Sequence, residues 1–154
     1  MLAHVASREG IVAAENAMGR GSKMDYKAVP NCIFSIPEVA TVGLSEEEAR
    51  GRGYDVKVGC FPFNGNGKAL IAGDAEGFVK VVAEAKYGEI LGLHIVGPHA
   101  SDLILEGALA LTSEVTLEEM EATLHAHPTL GEAIAEAIMA AQGRAIHLPE
   151  SYHH

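Results

Sequence analysis

Apolar residues recur along the chain with two spacings, alternate positions for strands and every third or fourth for helices, and their succession predicts the elements. Residues 1–18 carry the helix formers Glu9, Ala13, Ala14, Glu15, Asn16 and Ala17, and Gly19 and Gly21 stop the run. Between Val29 and Leu44, Pro30 and Pro37 break two short strands, the second alternating Val39 and Thr41 against Ala40 and Val42. Ser45-Glu46-Glu47-Glu48 opens a helix with Ser45 as cap, and Gly51 and Gly53 close it. The run from Asp55 to Phe63 alternates through Val56, Val58 and Cys60 as a strand, and Asn64-Gly65-Asn66-Gly67 predicts a turn in which Asn and Gly supply positive φ. Gly77 to Ala83 and Ile90 to Gly97 read as a hairpin turning near Tyr87-Gly88-Glu89, at the centre of an antiparallel sheet.

The second half of the chain changes period. From Ala100 to Ser113, Leu103, Ile104, Gly107, Ala108 and Leu111 form one helical stripe, with Gly107 and Ala108 permitting close approach. Thr116-Leu117-Glu118-Glu119 is a capping box that starts a short helix. Ala133, Ile134, Ala137, Ile138 and Ala141 form a last stripe ending at Gly143, able to pack on its own sheet or on a partner. The fold class that follows is α+β, an antiparallel β-sheet flanked by helices.

Composition narrows the partners. The chain has 154 residues, enough for one domain with a sizeable core, and 48% of them are apolar. No apolar run approaches the roughly 20 residues of a membrane span, and no basic segment followed by an apolar one marks a signal peptide. A net charge of −10, from 21 acidic and 11 basic residues, offers no footprint for nucleic acid or an anionic membrane. Cys32 and Cys60 lie too far apart for a C-x-x-C or C-x4-C pair and are expected to be buried thiols, which points to a reducing, cytoplasmic setting. His153 and His154, at the end of residues 149–154, resemble a purification-tag remnant.

Chemistry concentrates in His125-Ala126-His127-Pro128-Thr129-Leu130-Gly131-Glu132. An imidazole that moves protons needs a carboxylate on its far nitrogen to fix the tautomer and stabilise the cation. His127 and Glu132 are five apart, so a helix opening at Pro128 or Thr129 would let them turn toward each other. The same residues also read as a capping box, Thr129-x-x-Glu132, with no chemistry at all, and both readings stand. His125 and His127 face opposite ways in an extended segment, so one of them is structural. His94 and His99 lack the tight ligand pairing of a structural zinc site, so no metal is expected. The glycines at 65 and 67 lack the strand-to-helix setting of a phosphate loop.

The stretch His125-Ala126-His127-Pro128-Thr129-x-x-Glu132 resembles the His-Pro-Thr-x-x-Glu signature near the C-terminus of the flavin disulfide reductases, the pyridine nucleotide-disulfide oxidoreductases. The His-Ala-His lead-in and the ending Gly143-Arg144-Ala145-Ile146-His147 look more like the dihydrolipoamide dehydrogenases than the glutathione reductases of that family. Val29 to Leu44 resembles the opening of the family's dimerisation (interface) domain, with Phe34 where tyrosine is common, and Met1 to Asn16 resembles the helix after its flavin-binding Gly-Asp turn.

The resemblance implies a division of the chain: residues 1–22 as the terminal helix of an FAD-binding domain with its linker, 23–148 as the dimerisation domain, and 149–154 as a tail. It also implies the roles of His127 as acid/base for a dithiol and Glu132 as its orienting partner, with Leu2 and Ala3 near the flavin in an intact enzyme. Gly131 stands where the family often has serine or histidine, which removes any side-chain hydrogen bond from that position. A homodimer is implied, with FAD and NAD as cofactors of the parent and none bound to this chain. The parent's partner would be the lipoyl domain of a 2-oxo acid dehydrogenase or glycine cleavage complex. The redox cysteine pair and the Gly-x-Gly-x-x-Gly loops do not occur in the chain, so by itself it is expected to be inactive or to act as a non-catalytic dimerisation module.

Overall fold

In the computed structural model, which describes residues 2–149, there are twelve segments of regular structure, and all but the 3-10 turn and the short helix after the third strand follow the predicted order. Helix α1 (Ala3–Ala17) is followed by strands β1 (Asn31–Ile33) and β2 (Glu38–Gly43), helix α2 (Glu46–Gly51) and strand β3 (Val56–Pro62). A 3-10 turn (Phe63–Gly65) leads into α3 (Gly67–Ala72), then β4 (Phe78–Glu84), β5 (Ile90–Gly97), α4 (Ala100–Thr112), α5 (Leu117–Ala122) and α6 (Glu132–Ala141). The strands form one sheet in the order β1-β2-β5-β4-β3, every neighbouring pair antiparallel. The β4–β5 hairpin lies inside the sheet, as its nearly unbroken apolar sequence requires.

Strict alternation sets which residues meet the core. The register aligns Ala40, Ile95, Val79 and Phe61 in one row across four strands, and Val42, Leu93, Val81 and Gly59 in the next. Side chains of both rows share one face, over which α4 and α6 pack. α4 covers β2 and β5 through Ile104, Gly107, Ala108 and Leu111, and a Cβ on Gly107 would lie 2.6 Å from Leu93. α6 covers β3 and β4, and a Cβ on Gly59 would fall 1.9 Å from the Ala137 carbonyl oxygen, so the helix backbone rests directly on the strand. Ala133, Ile134, Ala137 and Ile138 are all fully buried, which assigns the α6 stripe to the chain's own sheet. On the opposite face, α2 shields a small cluster of Ala49, Val82 and Leu91.

Three expectations change. The segment Asn64-Gly67 is not a positive-φ turn: Asn66 has φ −96° and caps α3, its side-chain oxygen accepting the Ala69 N–H at 2.9 Å. The left-handed residue is Gly73, at the other end of that helix, with φ 70°. Helix α6 opens at Glu132 rather than at Pro128 or Thr129: the Thr129 hydroxyl turns back to the Ala126 carbonyl and its N–H donates to the Glu132 side chain, so Thr129 stays in the loop before the helix. Cys32 and Cys60 are free thiols, as expected, but half-buried rather than buried, and burial raises both pKa values. The tag reading of residues 149–154 falls, apart from Pro149, outside the described residues.

Candidate active site

The loop between α5 and α6 brings His127 onto Glu132. His127 Nδ1 lies 2.9 Å from Glu132 Oε1, while Glu132 Oε2 accepts the backbone N–H of Thr129 at 2.8 Å. One carboxylate therefore holds the loop with one oxygen and the imidazole with the other. The capping box is half formed: the glutamate reaches back to Thr129, but the Thr129 hydroxyl donates to the Ala126 carbonyl at 2.7 Å and caps nothing. Burial pushes the Glu132 carboxyl upward, yet the Thr129 N–H and His127 together outweigh it and hold its pKa below the ordinary range. An ionised carboxylate only accepts, so the proton between the pair belongs to His127 Nδ1, which makes Nε2 the basic nitrogen of the neutral ring. The His127 side chain is 78% exposed, and no protein atom among the described residues bonds its Nε2.

His125 is the structural member of the two. Its Nε2 lies 2.8 Å from Glu106 Oε1 and its Nδ1 3.1 Å from the Thr123 carbonyl oxygen, and both partners are acceptors. The ring must donate from both nitrogens to satisfy them, which favours the imidazolium. The Glu106 hydrogen bond accordingly raises the pKa of His125 above its ordinary value against the opposing effect of burial. With both nitrogens engaged, His125 has no lone pair with which to take a proton from a substrate.

His125, His127 and Glu132 line a groove of about 470 Å³ whose other walls include Leu70, Leu124 and Met139. Two groups that shape it were not read from the sequence. Asn66, 3% exposed, caps α3 and donates from Nδ2 to the Thr129 carbonyl oxygen at 3.0 Å, tying the loop to the far end of β3. Its signal was present as an asparagine before a helical apolar run, Ala69 and Leu70, but the glycines around it point more strongly to a turn. Glu136, one turn beyond Glu132 on α6, accepts hydrogen bonds from Ile146 and His147. Leu2 and Ala3 are not part of the groove: they open α1, whose first turn has no side-chain cap, and α1 joins the body through His4 Nε2 at 2.9 Å from the Pro30 carbonyl and the Tyr26 hydroxyl donating to Glu9 at 2.7 Å. His94 bonds the Leu44 carbonyl and His99 lies near Asp102, and no group of three or more potential metal ligands assembles among the described residues.

A five-stranded antiparallel sheet carrying two long helices on one face and a His-Pro-Thr-x-x-Glu loop at its edge defines a class. Residues 29–138 match the family described as the pyridine nucleotide-disulphide oxidoreductase dimerisation domain, and the chain belongs to that family. Among curated relatives, the dihydrolipoyl dehydrogenases of Bacillus subtilis and Halobacterium salinarum are 52% and 51% identical to it over 147 residues, covering 95% and 96% of this chain. Among solved structures, LpdA from Mycobacterium tuberculosis superposes with a TM-score of 0.82 at 32% identity, covering 89% of this chain and 30% of LpdA. The HOCl-induced flavoprotein disulfide reductase RclA of Escherichia coli, in its Cu(II) complex, shares the fold at 21% identity and a TM-score of 0.84. The chain spans 31% of the length of the two dihydrolipoyl dehydrogenases.

Proposed function

We propose that this chain is the dimerisation domain of a dihydrolipoyl dehydrogenase and supplies the acid/base pair His127 and Glu132 to the dithiol chemistry of a partner subunit. The observation that carries the reading is the asymmetry of His127, with Nδ1 held by an ionised carboxylate and Nε2 open to the groove. His127 Nε2 takes the proton from a thiol of dihydrolipoamide, and the thiolate, the competent nucleophile, attacks a disulfide presented by the partner subunit. The attack forms a mixed disulfide and releases the other enzyme sulfur as thiolate. His127 Nε2, open to solvent, releases the first proton to water and then takes the proton of the second substrate thiol, whose thiolate displaces the first enzyme sulfur and closes the lipoamide ring. Glu132 is the positioning residue: it fixes the tautomer and stabilises the imidazolium that each proton transfer creates. FAD bound by the parent's own domain, with the backbone at Leu2 and Ala3 beside it, would supply the redox chemistry that carries the electron pair on to NAD.

Residues 1–22 are proposed to close the FAD-binding domain of the parent and 23–148 to form the interface domain. The burial of α1 supports this division, since Val12 is its only buried residue. The first turn of α1 leaves backbone N–H groups uncapped, so the backbone at Leu2 and Ala3 fits a place beside a flavin's polar edge. The physiological partner is the lipoyl domain of a 2-oxo acid dehydrogenase or glycine cleavage complex.

In the assembled parent enzyme, His127→Gln is expected to lower kcat for dihydrolipoamide oxidation by about 100-fold or more, the usual weight of a positioned acid/base. Glu132→Gln keeps the shape but loses the charge and should cost about ten-fold. Stopped-flow reduction of the flavin measures both, and wild-type rates in His127→Gln would end the acid/base assignment.

A further inference from the structure

The groove has a second carboxylate whose role the His127 pair leaves open. Glu136 is 5% exposed, and all three of its hydrogen bonds go to the segment after α6. Oε2 accepts the N–H groups of Ile146 and His147 at 3.0 and 3.1 Å, and Oε1 lies 2.7 Å from His147 Nδ1. Other anchors flank this one. Arg144 pairs with Glu121 on α5, and Leu148 packs against the main core. A Cβ on Gly65 would lie 3.1 Å from the His147 carbonyl oxygen, so the strap runs close against the 3-10 turn after β3.

The strap so held lines the groove that contains His127: Ile146 and His147 belong to its wall, together with Met139 from α6. Ile146 is 72% exposed although its own N–H is tied down, so the backbone is fixed while an apolar side chain is offered outward. Glu132 and Glu136 are four apart, hence neighbours on the helix surface. One carboxylate thus aims the reacting imidazole and the next aims an apolar wall beside it.

We propose that Glu136 is a positioning residue for the substrate: it fixes residues 146 and 147 as the groove wall against which the aliphatic chain of the dithiol lies while its sulfur meets His127. The proposal rests on the reading of His127 as acid/base on a dithiol. A wall of this kind contributes equally to ground-state and transition-state binding, so its loss appears in KM and not in kcat.

The test is steady-state kinetics of the assembled parent enzyme with dihydrolipoamide and NAD, paired with amide hydrogen exchange at Ile146 and His147. Glu136→Ala is expected to raise KM for dihydrolipoamide about ten-fold, to leave kcat within about two-fold and KM for NAD unchanged, and to speed exchange at both amides. Glu136→Gln keeps an acceptor for the two N–H groups and should restore KM and protection together. A Glu136→Ala enzyme that loses thermal stability with an unchanged KM would reduce Glu136 to a structural staple and overturn the proposal. So would a fall in kcat like that of His127→Gln, which would place Glu136 in proton transfer. Should Glu136→Ala fail to fold, Ile146→Ser retains every Glu136 bond and must by itself raise KM; no rise overturns the proposal. Wild-type turnover in His127→Gln would instead strike the acid/base reading, and it would do so without altering the exchange at Ile146 and His147.

Discussion

His125 and His127 are two residues apart, and what separates their chemistry is the number of acceptors each ring meets. His127 meets one and His125 meets two. The pair His125–Glu106 therefore has a consequence for stability as pH changes. Because the folded state raises the pKa of His125 above its ordinary 6.5, folding binds this proton more tightly than the unfolded chain does. The stabilisation is fully present below about 6.5 and is lost as pH rises through the folded-state pKa. Melting temperatures measured from pH 6 to pH 9 should show this loss in the wild type, and Glu106→Gln should flatten that part of the profile. The spacing of five between His127 and Glu132 is visible in the sequence, and so is their pairing once a helix starts nearby. Glu106 and Glu136 were not legible in that way, because their partners lie 19 and 10 or 11 residues away and only the packing of α4 and α6 brings them together.

Periodicity predicts an element well when one face is buried against a continuous surface. β2 follows its alternation, β4 and β5 are apolar almost throughout as befits inner strands, and the α4 and α6 stripes face the sheet as their spacing requires. It fails for α3, six residues long, where local chemistry rather than an apolar stripe sets the structure. Gly65 and Gly67 suggest a turn, yet the Asn66 side chain finds two partners, the Ala69 N–H and the Thr129 carbonyl, and the second lies 63 residues away. That long-range bond makes α3 the support of the His127 loop. Asn66→Ala should remove the helix cap and leave the Thr129 carbonyl without its donor, at a cost of about 2 kcal/mol in chemical denaturation. The effect should extend to the site: the His127 ring should lose its single orientation, which nitrogen chemical shifts of the imidazole would register as a mixture of tautomers.

For the whole molecule, the burial of the α6 stripe in its own sheet decides what is left for a partner. Ala133, Ile134, Ala137 and Ile138 are spent on β3 and β4, so a symmetric contact has to use apolar surface that faces outward. α4 carries such a surface on the side away from the sheet, where Leu105 and Leu109 are 68% and 64% exposed, one helical turn apart. Leu124, at the groove that holds His127, is 98% exposed. Leu105 and Leu109 stand side by side on one helix face, the arrangement that an interaction surface on α4 would use. A contact through them would also carry the groove toward a neighbouring subunit, which is what acid/base action across a dimer demands. Light scattering over a concentration series should therefore give a species of twice 16.2 kDa for this chain. The double substitution Leu105→Glu with Leu109→Glu should return it to monomer and leave its melting temperature nearly unchanged, since neither side chain contributes to the core. If the charged variant still dimerises, the symmetric contact lies on another face, and a search for it would begin at the exposed leucine beside His127.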